Sequence, residues 1–354
     1  MGRHRPRRQP VMRAATLTAK GKQRLKPHIA TAELVGFRRK LLAWYDASRR
    51  DLPWRRTRDP YRIWLSEVML QQTRVAAVIE HYHAFLECFP NLATLAAASE
   101  EAVLASWSGL GYYRRARMLH HCARELVHSH GGRFPRTAES LRALPGIGPY
   151  TAAAIASFAF HQPAAVVDGN VERVLSRLGA RRLTPSETWQ RAQFFLSPSR
   201  PGDFNQAMME LGATVCPPRD PRCQICPVRQ WCSAQGKIAV AKPTTRQQRR
   251  EVWCLLHQRG RRIRLIQRPK TVPLMAGMWE LPQWANLPHP SAGAWHWRTF
   301  RHSITVTDYT VHVLRNWPPK GALAGHGEWI AIDQIAALPI TGLTRKILRA
   351  DGII

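Results

Sequence analysis

The sequence predicts two folded domains, a larger helical domain followed by a smaller α/β domain. Between Ala32 and Cys232 apolar residues recur every three or four positions, a period typical of helices. A polar, basic stretch containing Pro243 follows and is typical of a linker. Beyond it apolar and polar residues alternate, as in half-buried strands. We therefore divide the chain into a basic arm, a helical domain, a linker and an α/β domain, at residues 1–31, 32–233, 234–249 and 250–354.

The net charge of the chain indicates which kind of molecule it binds. Lys and Arg number 53 against 23 Asp and Glu, a formal net charge of +30. An excess of this size on a folded protein favours a polyanion such as nucleic acid. An acidic membrane surface is the alternative, but no apolar run approaches the length of a membrane span. We expect a monomer that binds DNA and not a membrane.

The first 31 residues hold nine Lys or Arg and no acid. They contain no apolar signal core, so we expect an intracellular protein, cytoplasmic and nucleoid-associated in a bacterium. The segment is interpreted as a disordered arm that adheres to DNA, with an organelle transit peptide as the alternative.

Glu67 is the first candidate for chemistry. In "DPYRIWLSEVMLQQTRV" helical spacing places Glu67 beside an apolar stripe that includes Trp64. Flanking Met69 and Leu70 should disfavour the charged form, which makes Glu67 a candidate proton donor near neutral pH. A solvated residue on the flank of the helix is the competing interpretation.

The stretch "WSGLGYYRRARML" combines apolar and cationic side chains. Aromatic and aliphatic groups beside arginines suit insertion into a base stack with phosphate neutralisation alongside. A glycine turn that leads into a basic surface helix is the alternative. The residues concerned are Trp107, Leu110, Tyr112, Tyr113, Arg114, Arg115 and Arg117.

An uncharged turn, "LPGIGPYTAAAIA", carries two glycines, Gly146 and Gly148. They would let the backbone approach a surface and direct its N–H groups outward, and the following helix would add its positive dipole end. Such a turn can bind a phosphate without lysine. An ordinary helix–helix connection is the alternative.

Asp168 ends the apolar run of "AAVVDGNVERV", directly before a predicted helix. Aspartate is a favoured N-cap residue, so a structural role explains it. A carboxylate held by N–H groups also stays ionised and can face a developing cation. The two roles are compatible.

Four cysteines lie within 17 residues in "CPPRDPRCQICPVRQWC": Cys216, Cys223, Cys226 and Cys232. Their spacing lets four thiolates converge on one metal centre, which would be structural because no coordination position stays open. An all-thiolate site suits zinc as well as a cubane cluster. Seven cysteines without a secretory signal argue against disulfides.

In the second domain, "RRIRLIQR" and "HSITVTDYTVHVL" alternate as strands, with a turn expected near Asp308. The segment "DQIAALPITGLTRKILRA" is interpreted as helical.

Taken together, these segments resemble the helix-hairpin-helix DNA glycosylases with an iron-sulfur cluster, and within them the MutY-type adenine DNA glycosylases. The resemblance runs from about Glu33 to Leu348 and rests on the motifs above with "LPWRRTRDPYRIWLSEVML" and "FNQAMMELGATVC". It implies one 4Fe-4S cluster on the four cysteines. It implies excision of adenine mispaired with 8-oxoguanine or guanine in duplex DNA, as part of base excision repair.

The resemblance also implies site roles. Tyr150 stands where the related endonuclease III branch has a Schiff-base lysine, so the chain should release a base without cutting the strand. Glu67 would protonate adenine, and Asp168 would stabilise the sugar cation, directly or through a transient adduct. Tyr150 and Asn170 would position this site. Expected DNA contacts are Trp54, Arg55 and Leu70 around adenine, Gln206 reading the base, a wedge of Gln72 and Tyr112, and Thr73, Leu110, Gly146 and Gly148.

The second domain resembles the Nudix-like recognition domain of that family, through "PLMAGMWELP" and "GEWIAIDQIAALPITGLTRKIL". No cluster of catalytic glutamates accompanies it, so pyrophosphatase activity is not expected. The family's Phe-Ser-His loop that contacts 8-oxoguanine matches Phe300, Arg301 and His302, with Arg301 in place of serine. Two alternatives remain: a non-enzymatic basic DNA-binding protein and a lyase of the endonuclease III type.

Overall fold

The computed structural model describes residues 29–235, 247–284, 296–304, 306–315 and 327–354. Most of the predicted basic arm and most of the predicted linker lie outside these ranges. The last residues of the arm are inside them, and there Ile29 is buried and a helix begins at Thr31.

Residues 31–214 are helical, as the apolar period predicted. The helices are α1 (Thr31–Ser48), α2 (Pro60–Leu70), α3 (Val75–Cys88), α4 (Leu92–Ala97), α5 (Glu100–Ser106), α6 (Arg114–His130), α7 (Ala138–Arg142), α8 (Pro149–Phe160), α9 (Gly169–Leu178), α10 (Pro185–Phe195) and α11 (Pro201–Thr214). Several starts follow from local chemistry. Asp59 caps α2 and Thr184 caps α10, and each is followed by a proline at the first helical position.

Among the described residues, the helical unit has two large hydrophobic cores and a small third cluster of Ala153, Ala154 and Val166. The first is built mainly by α2 to α8 around Trp64, Phe85 and Trp107. The second is built by α1, α9, α10 and α11 around Phe37 and Phe204. Close helix contacts join the two halves. At Gly202 an added Cβ would lie 2.6 Å from the carbonyl oxygen of Ser157, so α11 approaches α8 to a distance that only glycine allows.

The second unit contains two small sheets and a helix. The strands are β1 (Gln248–Leu256), β2 (Gln258–Arg259), β3 (Arg262–Gln267), β4 (Trp279–Glu280), β5 (Gln283–Trp284), β6 (His296–Ile304), β7 (Thr307–Arg315) and β8 (Glu328–Ala331). One sheet has the order β5-β1-β7-β6, with β1 and β7 parallel and Val252 opposite Val311. The other joins β2, β3 and β4, with β8 paired to β3. Helix α12 (Gly342–Ala350) buries Leu343 and Ile347 in the shared core.

Two boundaries differ from the sequence predictions, and one prediction is confirmed. The turn expected near Asp308 is there, because β6 ends at Ile304 and β7 begins at Thr307, and Asp308 accepts a hydrogen bond from the Ser303 hydroxyl across this pair. Strand β1 begins at Gln248, inside the predicted linker. The segment 333–350 is not one helix. A 3-10 helix ends at Ala337, because Pro339 disfavours helical backbone in the residue before it. Ile340 then pairs with Trp279 as an isolated β-bridge.

The two units are in direct contact. The Ile340 carbonyl accepts hydrogen bonds from the hydroxyls of Ser108 (2.9 Å) and Tyr113 (3.3 Å), both in the helical unit. Arg345 Nε donates to the Ser108 hydroxyl at 3.1 Å. Met278 of the second unit is fully buried in the first helical core. The second unit therefore sits against the segment that leads into α6.

None of the helices in the described ranges combines the length and the apolar character needed to cross a membrane.

Candidate active site

A cavity of about 1570 Å³ opens between the two helical cores and extends to the second unit. It brings together most of the residues that the sequence singled out. Those that line it are Trp54, Arg55, Glu67, Leu70, Gln72, Thr73, Leu110, Tyr112, Gly146, Gly148, Tyr150, Asp168, Asn170, Gln206 and His302. Phe300 and Arg301 are not in its lining.

Glu67 is buried on α2, with 4% of its surface exposed. Its Oε2 accepts a hydrogen bond of 2.6 Å from the Tyr150 hydroxyl on α8. Burial raises the pKa of Glu67 to about 7; the Tyr150 hydrogen bond opposes this shift and the nearby Asp168 charge adds to it. The carboxyl is therefore divided between its protonated and charged forms near neutral pH. The predicted desolvation of this side chain is confirmed.

Asp168 caps α9, as its position in the sequence predicted. Its Oδ1 accepts from the backbone N–H groups of Asn170 (2.9 Å) and Val171 (2.7 Å), and its Oδ2 accepts from the Asn170 side chain at 2.7 Å. These donors fix the carboxylate at the start of α9. The capped carboxylate still lines the cavity, so the cap does not remove it from the site.

Glu67, Tyr150 and Asp168 line the same cavity. Burial raises the pKa of the Tyr150 hydroxyl well above its ordinary value, and the charges of Glu67 and Asp168 add to this shift. Tyr150 therefore stays protonated and acts as a hydrogen-bond donor between two acids.

The glycine turn lies at the start of α8, where Gly148 is the residue before the helix and Pro149 is its first residue. Gly146 has φ +75°, and an added Cβ would lie 2.8 Å from the Cβ of Met118. A side chain at Gly148 would meet no atom within 4 Å, so this side of the turn is open. The turn therefore exposes backbone at a helix N-terminus, the arrangement expected for a phosphate site.

The sequence did not reveal an ion cluster in the cavity lining, formed by Arg50, Arg55 and the buried Glu210. Glu210 on α11 is 1% exposed and accepts from Arg50 Nη2 at 2.7 Å and Arg55 Nη2 at 2.8 Å. Despite burial, these arginines lower the pKa of Glu210 to about 2. The Arg55 guanidinium also lies over the Tyr45 ring, whose hydroxyl donates to Gln206 at 3.0 Å. Glu210 follows Gln206 by one helical turn, the only sequence signal for its role.

The predicted wedge residues lie on two adjacent turns. Gln72 (φ 57°) and Tyr112 (φ 47°) both adopt left-handed backbone, which costs a non-glycine residue about 1 kcal/mol or more. Tyr112 is 47% exposed, whereas Trp107 and Tyr113 of the same segment are buried. Of these three aromatic residues, Tyr112 alone has the exposure that insertion into DNA needs.

Two arginines that the sequence assigned to phosphates have other partners. Arg115 donates to the carbonyls of Val68 and Met69 at the end of α2 and to that of Leu110. Arg117 pairs with Glu100 and donates to the carbonyl of Ala276 in the second unit. These contacts fix both side chains, and both still line the cavity, so phosphate neutralisation by Arg115 and Arg117 stays a prediction. Arg114 is exposed.

In the predicted recognition loop, His302 faces the cavity and burial lowers its pKa. Phe300 packs against the core of the second unit beneath the cations of Arg298 and Lys346. Arg301 is exposed on β6, and its carbonyl accepts from Lys346.

The four cysteines follow α11, and three of them, Cys216, Cys226 and Cys232, pack against the second helical core. None of the seven cysteines forms a disulfide. Burial raises the pKa of Cys226 to about 11, and the charges of Cys216, Cys232 and Cys223 add to the shift. In the described ranges, no group of His, Cys, Asp and Glu side chains has the arrangement of a metal-ion site.

Arg173 connects this segment to the acids. It is 8% exposed and donates to the Cys216 carbonyl at 2.9 Å and to Asn170 Oδ1 at 2.8 Å. Because Asn170 in turn donates to Asp168, the position of the cysteine segment affects the site.

Comparisons with known proteins agree with this geometry. Residues 65–197 match the model of the HhH-GPD superfamily base excision DNA repair proteins. The chain is 52% identical to the adenine DNA glycosylase of Homo sapiens over 222 residues, which cover 58% of this chain and 41% of the human protein. It is 44% identical to that of Mycolicibacterium smegmatis over 201 residues, which cover 55% of this chain and 69% of the relative.

Solved structures share the fold. A thermostable thymine-DNA glycosylase matches with a TM-score of 0.55 and 31% identity, over 58% of this chain and 98% of that one. An endonuclease III–DNA complex matches in fold with a TM-score of 0.52 and 24% identity, over 59% and 98%.

The chain spans less than half of the human relative's length and about two thirds of the mycobacterial one. The superfamily match and the coverage of the mycobacterial relative show that this chain belongs to the MutY-type adenine DNA glycosylases of the helix-hairpin-helix superfamily.

Proposed function

We propose that this chain hydrolyses the N-glycosidic bond of adenine in duplex DNA and leaves an abasic site. The observation that carries the proposal is the placement of Glu67, with its pKa near 7, and the capped Asp168 on one cavity, with Tyr150 beside both. Cleavage of a glycosidic bond needs a carboxylic acid that protonates the leaving group and a carboxylate that stabilises the sugar cation. Glu67 and Asp168 can supply these two groups.

The reaction proceeds in two steps. Protonated Glu67 transfers its proton to N7 of adenine, the bond between C1′ and N9 breaks, and its electron pair goes to N9. The sugar becomes a cation that Asp168 stabilises. A water then adds its oxygen to C1′ and returns a proton to the Glu67 carboxylate. Free adenine and an abasic sugar result, and Glu67 is protonated again.

Tyr150 and Asn170 position these acids. Tyr150 donates to Oε2 of Glu67, which leaves Oε1 for the transferable proton. Asn170 donates to Oδ2 of Asp168 and holds the carboxylate at the helix start. Arg55 and Gln206 would contact the flipped base, with Trp54 and Leu70 beside it.

The site favours a glycosylase without lyase activity. A lyase of this superfamily needs an amine to form a Schiff base with the sugar. Among the described residues, no lysine lines the cavity, and the position at the start of α8 holds Tyr150. Strand cleavage should therefore need added alkali.

Duplex DNA that carries adenine opposite 8-oxoguanine or guanine is the substrate we propose. Adenine must leave the stack before its bond is accessible, at a cost of a few kcal/mol. Gln72 and Tyr112 would fill the space it leaves, with Leu110 and Thr73 behind them, and the Gly146–Gly148 turn would hold a phosphate. His302, with Phe300 and Arg301, would contact the oxidised base from a Nudix-like second domain.

A 4Fe-4S cluster on Cys216, Cys223, Cys226 and Cys232 is the cofactor we propose. The donor set supports it, because four cysteines within 17 residues supply the four thiolates that such a cluster needs. Bound there, the cluster would brace the segment that follows α11. Iron and sulfide analysis of the purified protein tests this, with Cys226→Ser expected to lose both.

One experiment tests the activity. The protein is incubated with duplexes that carry adenine opposite 8-oxoguanine, guanine, thymine or cytosine, and free adenine is measured before alkali treatment. We expect release from the first two duplexes, strand breaks only after alkali, and no adduct on borohydride treatment with abasic DNA. Binding without adenine release would instead identify a DNA-binding protein, and a trapped borohydride adduct would identify a lyase.

A further inference from the structure

The loop between β3 and β4, residues 268–278, brings an apolar tip from the second unit to the cavity. Pro273, Leu274 and Met275 line the cavity beside the residues of the helical unit. Pro273 is exposed, and 46% of the Leu274 surface is exposed. The mechanism above gives these side chains no task.

This loop tip has a fixed conformation. Met275 (φ 51°) and Gly277 (φ 68°) are left-handed, and left-handed backbone at a non-glycine residue persists only where surrounding contacts enforce it. Arg268 Nε donates to the Leu274 carbonyl at 3.2 Å, and the Met278 N–H donates to the Met275 carbonyl at 3.2 Å.

The helical unit holds the same tip. Arg117 on α6 donates to the Ala276 carbonyl and also pairs with Glu100. Arg117 lies three residues after Arg114, which begins α6 directly after the Tyr112–Tyr113 segment. Leu274 and Tyr112 therefore line the same cavity, and Arg117 contacts the loop that carries Leu274.

We propose that Leu274 is a second DNA-inserting side chain, which enters the base stack from the second unit while Gln72 and Tyr112 enter from the helical unit. The proposal rests on the proposed function, because only a substrate that must unstack needs such a group. Leucine and methionine act as wedges because they displace base stacking without needing a hydrogen-bond partner. Exposed Arg114 and Lys270 beside the two insertion points can take the flanking phosphates.

A solitary exposed leucine on a protein surface needs no explanation. Leu274 differs because it belongs to three consecutive apolar residues on a cavity wall, on a strained turn fixed by both units. Val127 on α6 has a similar exposed fraction, 40%, but does not line the cavity. It is therefore a matched control.

The test uses the full chain with Glu67→Gln, so that bound DNA stays intact, and a duplex with 2-aminopurine opposite 8-oxoguanine. Leu274→Ala should weaken duplex binding roughly tenfold, the equivalent of about 1.4 kcal/mol, and reduce the fluorescence rise that reports unstacking. Val127→Ala should leave the duplex affinity and the fluorescence rise unchanged. Leu274→Met should keep both close to the values of the chain with leucine at this position.

Salt dependence separates a wedge from a phosphate contact. The slope of log Kd against log salt should stay unchanged in Leu274→Ala, whereas Arg114→Ala should reduce it by about 1. Wild-type affinity and fluorescence in Leu274→Ala, or a changed salt slope, would overturn the proposal. Adenine release by the unsubstituted chain tests the proposed function separately. If no adenine is released, the proposed function fails, and the duplex affinities of Leu274→Ala and Val127→Ala still show whether Leu274 contributes to DNA binding.

Discussion

Substitution of Glu67 by glutamine should stabilise the fold while it abolishes catalysis, and the stabilisation should depend on pH. Burial raises the pKa of this carboxyl from 4.5 to about 7, so the folded chain holds a proton that the unfolded chain has lost. The folded state therefore loses stability as pH rises from about 4.5 to 7, and the loss is constant above that range. Glutamine removes this loss and can still accept the Tyr150 hydrogen bond.

The magnitude follows from the two pKa values. Ionising the buried carboxyl costs the wild-type fold about 1 kcal/mol at pH 5 and about 3 kcal/mol at pH 8. Glu67→Gln should therefore gain about 2 kcal/mol more at pH 8 than at pH 5, a difference of roughly 4 to 8 °C in melting temperature for a helical unit of this size.

Thermal and urea unfolding of both proteins at the two pH values measures this difference. Glu80→Gln, at an exposed glutamate of α3, is the control and should show no pH-dependent gain. Single-turnover adenine release from the same preparations should fall by on the order of 10² or more in Glu67→Gln. An equal stability difference at both pH values would refute the raised pKa, and normal adenine release would refute the acid role.

Three further predictions concern the surroundings of Glu67. Asp168→Asn should lower single-turnover excision by on the order of 10², yet leave the melting temperature nearly unchanged because asparagine is an equally good N-cap; a matching loss of stability would mean that Asp168 is only a cap. Glu210→Gln should cost about 3 to 5 kcal/mol of unfolding free energy, because it leaves Arg50 and Arg55 without their buried partner; denaturant unfolding that shows no loss would contradict the buried ion cluster. Gly212→Ala should lower the free energy of unfolding by about 1 to 3 kcal/mol, because the added Cβ would lie 2.6 Å from the Cβ of Asn170. If the variant keeps its stability and its excision activity, α9 and α11 can separate to accept the methyl group.

Much of the local structure could be predicted from the sequence. Helical periodicity, the caps at Asp59 and Asp168 and the prolines at helix starts act within one or two turns of chain, so neighbouring residues decide them. The desolvation of Glu67 was also predictable, because its apolar neighbours lie on its own helix. The spacing of the four cysteines allows their sulfurs to converge, and a shared metal centre stays a prediction.

Partners distant in sequence could not be predicted. Arg115, predicted to neutralise phosphate, also places its guanidinium on carbonyls of α2, more than 40 positions away. Glu210 meets Arg55 across 155 positions, and Tyr150 meets Glu67 across 83. Such pairs depend on how helices pack, and the residue types alone permit many pairings.

The sequence by itself determined most of the helices and strands, the candidate residues for chemistry, and the family to which the chain belongs. Only the tertiary structure decided that the helical unit has two large cores, that the candidate acids share one cavity, and that the 268–278 loop lines the same cavity. The physical reason is range. Backbone preference and burial of one face are properties of a short segment, whereas a cavity and its electrostatics arise from surfaces that meet only after the chain has folded.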